Sequence, residues 1–260
     1  MHRYNTSVGF GFLCPARPMG SLFMNTLLFR LYSMLGRYIF DSLRDRRDIM
    51  AMHALAPLSA RYVPWSRLAM RPAGITAVLN DIVINRRRCI VECGGGISTF
   101  YMARLIKHRD MPARLLTVEH DQQWAALLAE ELRIEQLADV ASVVHAPLVR
   151  VPFGWHNAGG EAMWYDPAVL DPVMDRLLID LLVVDGPPAY SRALRHARYP
   201  AVPYFRRFLA QDYTVILDDI NRVGEQEIVE RWEKELGIRF SRRLIDGGIA
   251  IGQSSASFTL

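Results

Sequence analysis

Residues 90–99 read Ile-Val-Glu-Cys-Gly-Gly-Gly-Ile-Ser-Thr, an apolar run that ends in an acid and turns at once through three glycines. Gly94, Gly95 and Gly96 let the backbone take up positive φ and approach a ligand closely. Ser98 and Thr99 then open an apolar run over residues 100–106 that has helical character. Strand, tight turn and helix N-terminus, in that order, form the cofactor-binding unit of open α/β sheets. A dinucleotide fingerprint would need Gly or Ala where Thr99 stands, and an acid such as Glu92 would not lead its turn, so that match is partial. A glycine turn that only joins a strand to a helix is the plainer alternative.

The same rhythm continues along the chain. Residues 115–118 form a second apolar run that ends in Glu119, where a ribose diol can be held by two charge-assisted hydrogen bonds. His120 and Asp121 beside it also allow a simple helix-capping turn. Further strands are expected at 140–144, at 179–184 running into Asp185-Gly186-Pro187-Pro188, and at 214–217 running into Asp218-Asp219. Residues 238–244 and 248–251, separated by Asp246-Gly247, read as a closing hairpin. This pattern predicts an α/β fold: a Rossmann-like doubly wound sheet, mostly parallel with an antiparallel C-terminal strand pair, plus N-terminal helices. The expected division is a helical appendage over 1–69 and a cofactor-binding domain over 70–260, with an insert at about 150–176.

The glycine turn resembles motif I of the class I S-adenosylmethionine-dependent methyltransferases, which reads here as Glu92, Gly94, Gly96 and Ser98. The resemblance spans roughly residues 70–252. It implies S-adenosylmethionine as cofactor. Glu92, Gly94, Gly95, Gly96 and Ser98 would lie at its amino-acid end and ribose, Glu119 and His120 at the ribose diol, and His145 and Ala146 near adenine, with Asp185 a further cofactor-binding residue. The Asp-Gly-Pro-Pro form, with Arg198-Tyr199-Pro200-Ala201 and the later Asp218-Asp219 and Arg222, is similar to a bacterial subgroup of small methyltransferases. It departs from the adenine and glutamine N-methyltransferases, because Gly186 and Ala189 shift the prolines and Tyr190 out of register. O-methylation of a small-molecule or glycan hydroxyl is therefore expected.

In this fold Asp185 and Asp219 end adjacent strands, where ligands bind. Either is a candidate general base, a contribution typically ~10²–10⁴-fold. Together with Asn221 or Asp218 they are also candidate ligands for Mg²⁺, as in the resemblance to catechol O-methyltransferase, although Ile220 stands where that pattern has Asn. Arg198 and Arg222 are candidate binders of an anionic or hydroxylated acceptor, or else partners of nearby carboxylates.

The insert carries Trp155, His156, Gly159, Gly160, Trp164, Tyr165 and Asp166. Trp155, Trp164 and Tyr165 are candidates to stack on an acceptor, the alternative being a hairpin that packs its tryptophans on the core. Residues 64–79 are expected to form a helix over the cofactor, with Trp65 and Met70 closing the site. Cys14, Cys89 and Cys93 are too few and too scattered for a disulfide framework or a zinc site.

With 260 residues, 51% hydrophobic and 22% charged, the chain can bury a full core. The net charge of +4 comes almost wholly from arginine, and the basic stretches at 44–47 and 86–88 lack interleaved aromatics, so nucleic acid is not the expected partner. Residues 21–40 are apolar but interrupted by Arg30 and Arg37, which disfavours a spanning helix, and the pattern disfavours a cleavable signal. An amphipathic helix is expected over residues 22–47, covering the sheet, meeting a second copy or resting on a membrane surface through residues 21–48. The expected location is cytoplasmic. Two other function classes stay open: a non-catalytic cofactor-binding protein attached through that helix, and a nicotinamide-dependent oxidoreductase, which lacks a third glycine and a Tyr-Lys pair.

Overall fold

A computed structural model describes residues 19–62, 64–66, 68–152 and 162–255, with residues 19–33 described by their backbone alone. The chain divides into two compact units after Ser42. The first holds the start of a 37-residue helix, α1 (Met19–Leu55), and the second holds everything from Leu43 onward. The expected boundary at 69 differs from this division, because Ala51 and Leu55 are buried and Leu55 joins the core of the second unit. Among the described residues no helix is long and apolar enough to cross a membrane.

The second unit is built on strands β1 (Cys89–Cys93), β2 (Arg114–Glu119), β3 (Ala141–His145), β6 (Ile179–Val184), β7 (Leu209–Leu217), β8 (Phe240–Arg243) and β9 (Ile249–Gln253). They form one sheet in the order β3-β2-β1-β6-β7-β9-β8. The first five are parallel to their neighbours, while β9 runs antiparallel to both β7 and β8. The expected doubly wound sheet with a closing antiparallel pair is what the chain forms. Between them β4 (Leu148–Val151) and β5 (Ala162–Tyr165) make a separate antiparallel hairpin inside the insert.

Alternation along the strands explains the two-sided core. Ile90, Leu115, Leu181 and Val183 point to one face, where α2 (Pro72–Ile84), α3 (Ile97–His108) and α4 (Gln122–Ile134) bury Ile75, Phe100 and Leu128. Val91, Leu116, Leu182 and Val184 point to the other, against α5 (Pro167–Met174), α6 (Ala201–Phe205) and α7 (Val223–Leu236) through Leu170, Phe205 and Trp232. Each such fully buried aliphatic side chain contributes about 1.5–3 kcal/mol relative to exposure. A buried network locks α2 to the sheet. Arg87 donates to Asp81 (3.0 Å) and Thr214 (2.6 Å), and Thr214 donates to Asp81 (3.0 Å).

The helix expected over 64–79 forms later, as α2. Arg71 precedes Pro72 and is extended (ψ 149°), because a residue before proline is driven out of the helical region and proline suits the first helical position. Met70 is buried against Gly74 rather than over a cofactor, and Trp65 packs on Tyr101 at 6.0 Å.

Candidate active site

The order of the sheet reverses between β1 and β6, and a narrow cleft of about 120 Å³ opens at the carboxyl ends of those strands. Gly94, Gly95, Glu119 and His120 line one half, and Asp185, Arg198, Asp219 and Arg222 line the other.

Gly94 begins the turn with φ +86° while its N–H donates to Val118 O (2.8 Å). Its backbone lies so close to β6 that an added Cβ would be 2.7 Å from Gly186 N. Asp185 N–H and Gly186 N–H both donate to Cys93 O (2.9 and 2.6 Å), which ties the two strand ends together. Gly95 donates its N–H to Glu119 Oε2 (3.1 Å), and its carbonyl accepts from Trp124 Nε1 (2.8 Å). The turn is thus held by the second strand and by α4.

Glu92 lies wholly inside the protein. Its carboxylate accepts from the hydroxyls of Ser98, Thr99 (2.6 Å) and Thr117 (2.8 Å). Burial pushes its pKa up to about 7 against the pull of those three donors. Glu92 and Ser98 therefore brace the turn from behind and are not among the residues that line the cleft. Thr99 also accepts from Gly96 N–H (3.1 Å), and Gly96 does not line the cleft either.

Glu119 does face the cleft. Its Oε1 accepts from the N–H groups of His120 (2.7 Å) and Asp121 (2.9 Å), leaving Oε2, with one bond from Gly95, open to a further donor. Burial works to raise its pKa, but contact with His120 and these backbone bonds hold it below the ordinary range. Glu119 is thus an anion at neutral pH. His145 and Ala146 stand behind it: the His145 ring meets His120 O at 3.2 Å, and Ala146 is buried with its N–H on Glu119 O.

In the other half, Arg198 is the centre. Its side chain is only 5% exposed, and its guanidinium reaches Asp185 Oδ1 and Asp219 Oδ2 at 3.1 Å each. It also donates to the carbonyls of Pro187 (3.3 Å) and Asp218 (3.2 Å). Arg222 pairs with Asp219 (2.6 Å) and Glu225 (3.4 Å). The carboxylate-pairing alternative thus holds for both arginines. Asp219 takes up left-handed φ (+62°), a conformation Asp tolerates better than most residues. Burial raises the Asp185 pKa to about 6 despite Arg198, and burial, with the charge of Asp185 beside it, raises that of Asp218 as well. At neutral pH Asp185 is therefore charged.

Asp185, Asp218 and Asp219 can bring oxygens within 4.8 Å of one another, as a divalent cation would need. The donor set does not fit one. Arg198 already bridges Asp185 and Asp219, and exposed Asn221 lies beside Gly248 instead.

Tyr165 sits at the base of the cleft, fully buried, and its hydroxyl has no partner among the described residues. Trp164 is also fully buried and packs edge-on against Tyr165 (4.9 Å) and Phe205 (6.4 Å), and its Nε1 likewise has no partner among the described residues. The hairpin alternative holds for Trp164, because its neighbour on β5 takes the cleft side. Trp155, with His156, Gly159 and Gly160, lies outside the described residues. Leu68 and Tyr190 line the cleft without having been singled out; nothing in the local pattern marks Leu68, while Tyr190 follows the Pro-Pro pair.

Residues 91–220, 130 of the 260, match the family described as "Methyltransferase domain". No curated protein matches the chain in sequence. Among solved structures, a provisionally assigned caffeoyl-CoA O-methyltransferase from Staphylococcus aureus is 13% identical, with 85% of this chain and 100% of that chain covered at a TM-score of 0.53. An SAH-bound methyltransferase from Podospora anserina is 12% identical, with 78% and 86% covered at a TM-score of 0.50. At such identities the likeness is one of fold.

Proposed function

Because the chain belongs to the methyltransferase domain family, we propose that its cleft binds S-adenosylmethionine and that it methylates a hydroxyl of a small-molecule or glycan acceptor. The observation that carries this reading is the junction of two unlike halves at the switch point: a glycine turn with an anionic Glu119, and a carboxylate, Asp185, charged above a pH of about 6. A nicotinamide site would have no need of the second half. Asp185, Gly186, Pro187 and Pro188 all line the cleft, in keeping with the subgroup resemblance.

The residues present fit the cofactor in three ways. Gly94 has no room for a side chain, Glu119 Oε2 can accept from a ribose hydroxyl, and the Tyr165 hydroxyl is buried without a partner. When bound, S-adenosylmethionine supplies an electrophilic methyl group on a sulfonium. Asp185 accepts the proton that the acceptor hydroxyl loses as its oxygen bonds to carbon, a role suited to a base with pKa near the working pH. Arg198 and Arg222 hold Asp185 and Asp219 in place. Orientation supplies most of the rate, an effect that reaches about 7–11 kcal/mol in well-aligned systems.

Calorimetric titration with S-adenosylhomocysteine and, separately, NADH tests the reading. Saturable binding of the first and none of the second is expected; binding of NADH alone, or of neither, overturns it.

A further inference from the structure

Building on the methyltransferase reading, we infer that Arg198 is the resident cation of this active site, holding the acids at the ends of β6 and β7 where a metal-dependent enzyme would place a divalent ion. Four acceptors from two chain segments surround its guanidinium: the carboxylates of Asp185 and Asp219 at 3.1 Å each, and the carbonyls of Pro187 and Asp218 at 3.3 and 3.2 Å. Such a shell resembles a coordination sphere in composition, being all oxygen and carrying two negative charges. A planar fork of five N–H donors meets carboxylates on two sides without dehydrating a small ion.

The alternative occupant has to displace it. A divalent ion drawn to Asp185, Asp218 and Asp219 would take the two anions that neutralise a buried Arg198, and Arg222 would add a second positive charge through its 2.6 Å contact with Asp219. Removing one partner from a buried pair leaves an uncompensated charge, which is strongly unfavourable. The positive charge of this site is therefore part of the chain. Arg198 acts as a positioning residue: it fixes Asp185 beside the glycine turn and Asp219 in its left-handed conformation.

Mn²⁺ serves as the probe, with free ion followed by electron paramagnetic resonance in titrations of the wild-type chain, Arg198→Met and Arg198→Lys. In parallel, S-adenosylhomocysteine affinity is measured with and without a chelator. Wild type is expected to take up no stoichiometric Mn²⁺ and to bind S-adenosylhomocysteine equally in both conditions. Arg198→Met, with its carboxylates freed, is expected to bind Mn²⁺ at least ~10-fold more tightly than wild type. Arg198→Lys keeps a charge at the position and should behave as wild type. Stoichiometric uptake by wild type, no gain in Arg198→Met, or equal uptake by the Lys and Met variants each overturns the assignment. If Arg198→Met fails to fold, the wild-type and Lys titrations still decide. Failure of S-adenosylhomocysteine to bind in any condition would count against the cofactor reading instead, since the Mn²⁺ titrations do not depend on it.

Discussion

Alanine placed at each glycine of the turn in sequence separates three positions that look alike. At Gly94 the backbone has φ +86°, which costs an L-residue about 1–2 kcal/mol. The new Cβ would also lie 2.7 and 2.8 Å from Gly186 N and Cα and 3.1 Å from Asp185 C, all backbone atoms of a neighbouring strand end that cannot rotate away. Overpacking of that kind costs roughly 1–3 kcal/mol. Gly94→Ala should therefore lose roughly 2–5 kcal/mol, or ~4–20 °C in Tm for a domain of this size. At Gly95 the Cβ would meet Leu128 Cδ1 at 2.5 Å, the tip of a side chain that can shift, and Thr117 Cγ2 at 2.8 Å, held by Glu92, while φ is not left-handed, so an intermediate loss is expected. At Gly96 nothing lies within 4 Å and the backbone is extended (φ −171°), so Gly96→Ala should stay within about 0.5 kcal/mol of wild type. Urea unfolding of the three variants measures the series, and S-adenosylhomocysteine titration reads the cleft. Because Gly94 joins β1 to β6 beside Asp185, its variant should lose affinity even where it still folds. Equal stability for the Gly94 and Gly96 variants, or unchanged affinity in Gly94→Ala, would refute the close-approach reasoning.

Two further expectations follow from the cleft. Asp185, raised by burial to about 6, accepts a proton only when ionised, so methyl transfer should fall about tenfold per unit as pH drops below 6 and level off above it. Asp185→Asn should abolish that limb along with most of the rate, and a pH profile unchanged in the variant would remove Asp185 as base. Tyr165→Phe deletes a buried hydroxyl that has no partner, so the free chain should be as stable as wild type or about 1 kcal/mol more so, while S-adenosylhomocysteine binds roughly 5–10-fold more weakly. Unchanged affinity would make Tyr165 a packing residue only.

Strands, turns and their terminal acids were legible because they are short-range. A buried parallel strand must be an apolar run, and its end must turn through residues that permit the turn, so 179–184 and the Asp185 that follows declare themselves without reference to the rest of the chain. The two closing strands and the place of Glu119 at the second strand tip were read by the same means. The helix expected over 64–79 slipped to begin at Pro72 because apolar content alone does not say whether Trp65 and Met70 pack as helix or as loop.

What local pattern could not decide was which side of each feature faces the ligand. Glu92 and Glu119 both end or lie in apolar strands, yet one turns inward onto three hydroxyls and the other outward to the cleft. Trp164 and Tyr165 are adjacent, equally buried and in ring contact, yet only Tyr165 reaches the cleft. Arg198 reads in sequence as an acceptor-binding residue; it becomes a bridge between two acids only because β6 and β7 are neighbours in the sheet. Periodicity and turn chemistry act over a few residues and so determine the elements, the fold class and the edge of the sheet where a ligand binds. Charge pairing and close backbone approach depend on atoms from segments far apart in the chain, and they exist only once the sheet has assembled.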